Sequence, residues 1–138
     1  ISVIMKEIKL PFAEQTHEVC YEPKTNSVFV SQMSNGVLVR IPVGPDGLLM
    51  DDQDSWCVGE VDDSGKGISG LHNISLSYAN PGCIWLSLQF ANELVLLDCV
   101  HMFVRKVIKV PTFYKEGEKV VKIGKSVFCF CFSCKLFF

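Results

Sequence analysis

The 138-residue chain is 49% apolar and 20% charged, with ten Gly, six Pro and a formal net charge of −2, which excludes the disordered, collagen-like and fibrous classes. A charge balance this close to neutral offers no basic surplus for a phosphate backbone, so no nucleic-acid partner is expected. No apolar run approaches the roughly 20 residues of a membrane-crossing helix, so no membrane association is expected either.

Ile1 to Lys6 lacks the basic-then-apolar layout of a signal peptide. The first residue is not Met, which is read as the mark of a fragment or a processed product. The seven cysteines are an odd number spread over apolar runs rather than packed as a disulfide scaffold, and they read as buried thiols. That usage favours a reducing compartment, hence a cytoplasmic location. Charge is divided along the chain: residues 1–104 carry five Lys/Arg against thirteen Asp/Glu, and residues 105–138 carry eight against two.

In chain order, Ile4 to Pro11 reads as a single flanking strand. Short Val-, Ile-, Leu- and aromatic-rich runs bounded by Pro, Gly, Asn and Asp then predict strands near 16–21, 27–33, 36–42 and 55–61. A further set is predicted near 71–77, 83–89, 93–99 and 104–110. Glu22-Pro23-Lys24-Thr25-Asn26 and Asn80-Pro81-Gly82 are turn signals between the first and second strands of each set. No 3.6-residue apolar period persists long enough for a core helix. Ile41 to Gly65 holds no Lys or Arg, and its Asp46, Asp51, Asp52, Asp54, Glu60, Asp62 and Asp63 form an acidic stretch. It misses the calcium-loop pattern, because Gln53, Ser55 and Trp56 fall at the ligand and glycine positions when the loop starts at Asp51. It reads as a solvated loop.

The two sets repeat one another. His17 matches His72, Phe29 matches Trp85 and Ser31 matches Ser87; with one residue inserted, Gln32 matches Gln89 and Asn35 matches Asn92. Four short strands per unit at a spacing of 55 to 57 residues is the pattern of a β-propeller blade. The expected fold is therefore all-β: an incomplete β-propeller of two four-stranded antiparallel blades, about 16–61 and 71–110, with single flanking strands, in a domain spanning 1–124. A β-sandwich is the rival, but gives no reason for side chains to recur in one order. Two blades do not close a ring, so self-association through open blade edges is expected. The Phe- and Cys-rich segment 125–138 is read as an out-of-family tail outside the fold. Its Cys129, Cys131 and Cys134 lack the fourth ligand of a structural zinc site, and no metal site is assigned.

A meander brings the start of the first strand and the end of the second to one rim, so His17 and Gln32, and likewise His72 and Gln89, should converge there. The pattern of His-x-Ile, then Ile-Trp-Leu-Ser, a polar residue and Asn resembles the repeats of streptogramin B lyase (virginiamycin B lyase) and related NHL-type propellers over residues 4 to about 124. The resemblance implies rim histidines, here His17 and His72, as catalytic groups of a carbon–oxygen lyase, with acidic partners and a magnesium ion. The acidic positions are not matched: Gln15 and Gly70 stand two residues before the histidines, and Gln32 and Gln89 at the strand ends. Amides neither titrate near neutrality nor balance a divalent cation. Gln32, Gln89 and Asn73 are accordingly read as binding residues of the rim. The leading expectation is a binding or interaction segment without activity by itself, taking a protein or small-molecule ligand at the channel rim. The alternative is part of a metal-dependent lyase-like or hydrolase-like propeller enzyme whose acidic residues lie in other blades. The sequon Asn73-Ile74-Ser75 falls on an inner strand, a poor acceptor site for glycosylation.

Overall fold

A computed structural model describes residues 3–12 and 14–111 and the backbone of residues 113–116 and 119–122. Two four-stranded antiparallel sheets account for most of it. The first is a meander of β1 (Thr16–Glu22), β2 (Ser27–Gln32), β3 (Val37–Pro42) and β4 (Asp54–Cys57). The second repeats that order with β5 (Leu71–Leu76), β6 (Cys83–Leu88), β7 (Glu93–Asp98) and β8 (Phe103–Lys109). A two-stranded hairpin of β9 (Phe113–Glu116) and β10 (Lys119–Lys122) follows. The described residues contain no helix. The segment 125–138, read from sequence as a tail outside the fold, lies outside the described residues.

All eight expected strands form, with two corrections. Ile4 to Pro11 joins no ladder. Its alternating apolar residues are used for packing instead: Ile8 and Leu10 lie on Val30, Val37, Val39 and Ile41. The fourth strand, expected to reach residue 61, stops at Cys57. The chain then leaves the ladder through Gly59, whose φ of +88° is open to glycine and closed to most L residues.

Strand pairing fixes how the repeats correspond. Ser27–Gln32 pairs with Val37–Pro42, and Cys83–Leu88 pairs with Glu93–Asp98, residue for residue at a constant offset of 56. Gln32 is therefore equivalent to Leu88, and Gln89 to Met33; Asn35 falls on Ala91, and Asn92 on Gly36. The insertion expected after Ser87 does not exist. The extra residue sits in the turn between the first two strands, which shifts the offset of β1 and β5 to 55. Two features support this register independently. Gly36 and Asn92 share positive φ, at 64° and 54°. Met33 donates its N–H to Gln15 and Gln89 to Gly70, at 3.1 and 2.8 Å.

Period-2 alternation gives each sheet two faces. On the first sheet, face A carries Phe29, Ser31 and Leu38, and face B carries Val28, Val30, Val37, Val39 and Ile41. On the second, the equivalent face A carries Trp85, Ser87, Leu94 and Leu96, and face B carries Ile84, Leu86, Leu88, Val95 and Leu97. Phe29 and Leu38 share one buried cluster with Leu71, Ile74, Ile84, Leu86, Leu88, Val95 and Leu97. The core is thus face A of one sheet on face B of the next. Such packing relates the sheets by a step that can be repeated, whereas a sandwich related by a two-fold axis would set like faces together. Phe29 is fully buried, and its equivalent Trp85 is half-buried.

Buried carboxylates organise two turns. Glu22 accepts the backbone N–H groups of Lys24 and Thr25 and the Thr25 hydroxyl, at 3.0, 2.8 and 2.8 Å. Asp98 accepts those of Val100 and His101, at 3.0 and 2.9 Å, and pairs with Arg105 at 3.1 Å. The His101 N–H bond, the Val100 N–H bond and the Arg105 charge hold the Asp98 carboxyl below its usual 3.8. His101 itself is exposed. A depressed carboxyl contributes stability that is complete above 3.8 and drains as pH falls through the lower folded value. Asp98→Asn is therefore expected to weaken the fold at neutral pH and to flatten the fall of the urea midpoint below pH 3.8, relative to the wild-type chain.

Candidate functional site

Both first strands are interrupted at the same place. Between Thr16, paired with Gln32, and Val19, paired with Val30, two residues of β1 face one of β2. Between Leu71, paired with Leu88, and Ile74, paired with Leu86, two residues of β5 face one of β6. Each is a β-bulge. The bulged residues are His17 and Glu18 in the first sheet, His72 and Asn73 in the second. The residue opposite is Ser31 in one and Ser87 in the other.

A bulge leaves an N–H out of the ladder, and the facing serine satisfies it. Glu18 N–H donates to Ser31 Oγ at 3.1 Å, and Asn73 N–H donates to Ser87 Oγ at 3.0 Å. Ser31 does more. Its hydroxyl donates to the backbone carbonyl of His72 at 2.9 Å, in a buried bond that crosses from sheet to sheet. The two serines were visible in the sequence as matched identities, but without the bulge they had no assigned role. A hydroxyl residue facing a two-residue excess is the signal that locates them.

The seam places the two imidazoles together. The rings of His17 and His72 lie with centroids 3.7 Å apart and planes tilted by 43°. His17 is exposed, while His72 is 9% exposed. The Nδ1 of His72 is hydrogen-bonded to Oδ1 of Asn73. An amide oxygen only accepts, so Nδ1 is the donor in this bond. Of the rim residues expected from sequence, His17, His72 and Asn73 are therefore brought together.

The glutamines divide. Gln32 shares its rim end with His17 but is fully buried, donating from Nε2 to the Pro11 carbonyl at 2.9 Å and accepting from Asn35 Nδ2 at 3.0 Å. Asn35 in turn donates to the Phe12 carbonyl at 2.8 Å and accepts Val37 N–H at 3.1 Å. These two amides fasten the N-terminal segment to the first sheet. Gln89 is half-buried at the end of β6, beside Gly70, whose φ is +69° and where an added Cβ would come within 2.6 Å of the Phe90 ring.

Apart from Glu18 in the first bulge, the nearby carboxylates are engaged elsewhere. Glu14 pairs with Lys66 at 3.0 Å, and Glu22 and Asp98 are engaged in turns. No group of three His, Cys, Asp or Glu suited to a metal ion occurs among the described residues. The described residues around His17 and His72 do not supply the acidic set that a magnesium ion requires. The Cys99 thiol is pushed up to about 12, first by burial and then by Glu22, which leaves it no nucleophile near neutral pH. What the site offers is two adjacent imidazoles, one oriented by an amide, set on a hydrogen-bonded seam.

No protein-family model, curated protein or solved structure matches the chain.

The Ser31→Ala change takes away the acceptor of the Glu18 N–H and the hydroxyl donor to the His72 carbonyl. Ser31→Ala is expected to cost about 1–3 kcal/mol, read as a lower urea midpoint. Ser34→Ala, which removes only an exposed bond to Gln15, is expected to stay within about 0.5 kcal/mol of the parent.

Proposed function

We propose that the two sheets are successive blades of a β-propeller-type repeat and that the chain serves as a binding segment, taking a protein or small-molecule ligand at the His17–His72 rim, without lyase activity by itself. The observation that carries the reading is the recurrence of one unit at the seam: the same bulge, the same facing serine and the same histidine, with face A of one sheet on face B of the next. Stacking by a repeated step is how a radial array of small sheets buries its faces. Paired imidazoles with an apolar body and polar edge suit recognition of a ligand that offers hydrogen-bonding groups beside a flat surface.

The second reading is a lyase-like or hydrolase-like enzyme. It is favoured by the amide-oriented His72, an arrangement that suits a general base. The rim then needs acidic partners from other blades.

Ring opening of a streptogramin-type cyclic ester by the purified chain, with added magnesium, separates the two. The expected result is no turnover above the uncatalysed rate. Turnover that disappears in His72→Ala would reverse the order of the readings.

A further inference from the structure

We infer that residues 6–12 form a latched strap, which shuts face B of the first sheet and leaves it as a unit while both sheets stay folded. Face B of the second sheet, through Ile84, Leu86, Val95 and Leu97, is covered by Phe29 and Leu38 of the first sheet. The equivalent residues of the first sheet, Val28, Val30, Val39 and Ile41, are packed against Ile8 and Leu10 instead. The strap thus stands where the repeat lays a sheet.

The strap is held by a different kind of contact from the strands. Among the described residues, no backbone-to-backbone hydrogen bond joins residues 6–12 to a strand. Three side-chain amides hold it by its carbonyls: Gln53 Nε2 donates to Lys9 at 3.1 Å, Gln32 Nε2 to Pro11 at 2.9 Å and Asn35 Nδ2 to Phe12 at 2.8 Å. Because Asn35 Nδ2 also donates to Gln32 Oε1 at 3.0 Å, those two amides act as one latch. Lys6 pairs with Asp51 at 2.9 Å, but the Asp51 side chain is 83% exposed, and a pair so open to water adds little. Ile8 and Leu10 are half-buried, while Lys6, Glu7 and Lys9 are exposed.

Two observations set the latch apart from the sheet it is built on. Gln32 and Asn35 have Leu88 and Ala91 as their equivalents, and the second sheet forms the same hairpin without either amide. The backbone is also strained where the strap ends. Phe12 and Gln15 hold φ of +53° and +51°, and the place of Gln15 is taken in the second sheet by Gly70. A bulky residue at positive φ is kept there by its surroundings and relaxes when they let go. Segments without a ladder and with few buried contacts open at the low end of a protein's range of local stabilities. Opening bares Val30, Val37, Val39 and Ile41, all buried in the closed state.

The inference stands apart from the reading of the rim, which concerns His17 and His72. Its test is trypsin cleavage after Lys9, followed by mass spectrometry at low protease, where the rate tracks the open fraction. Gln32→Leu with Asn35→Ala copies the residues of the second sheet and removes two of the three amide ties. Cleavage is expected to rise about 5- to 100-fold. The fluorescence of added ANS is expected to increase as face B opens, and the NOE contacts of Phe29 and Leu38 with Leu86 and Val95 to persist. Ile8→Ala with Leu10→Ala, changes confined to the strap, is expected to act in the same direction, and it decides the matter should the latch variant fail to fold. Cleavage no faster than in the parent chain would overturn the inference. So would cleavage that rises only together with loss of the contacts between the sheets, which would make the segment an inseparable part of the fold.

Discussion

Everything at the seam follows from one backbone irregularity and the hydroxyl that completes it. The bulge at His17–Glu18 and at His72–Asn73 takes an N–H out of the ladder, and a serine on the neighbouring strand returns a partner to it. Because Ser31 then reaches the His72 carbonyl, the same residue registers one sheet on the next. A bulge also re-aims side chains, and here it sets two imidazoles against each other. Structure and candidate chemistry therefore share a cause.

The repeat is a backbone repeat decorated unequally. Leu88 and Gln32 hold equivalent places, yet Leu88 packs in the core between sheets whereas Gln32 ties down Pro11. Leu96 is matched by Arg40, which pairs with Asp54 and lies over the Trp56 ring at 5.2 Å. The first sheet thus has a hydrogen bond to the Pro11 carbonyl and an ion pair where the second has leucine.

Strand positions were legible because alternation and turn residues are local signals, and the observed limits lie within a few residues of those expected. The order His, aromatic, Ser was legible as repetition. Two things were not. Matching Gln32 with Gln89 followed residue identity, while pairing across a hairpin of constant length decides equivalence, and it sets Gln89 against Met33. The alternation of Ile4 to Pro11 announces a buried side but not the means of burial, so a packed segment looked like a strand. The bulge left no mark of its own in the sequence. It is defined by the pairing that sets Ser31 opposite two residues of β1.

The central claim is that like units stack face A on face B, and methyl and aromatic NOE contacts of Leu38 and Phe29 test it most directly. The account predicts contacts from both to Ile84, Leu86, Leu88, Val95 or Leu97. Contacts to Trp85 and Leu94 in their place would put like faces together, as in a two-fold sandwich, and would contradict the account.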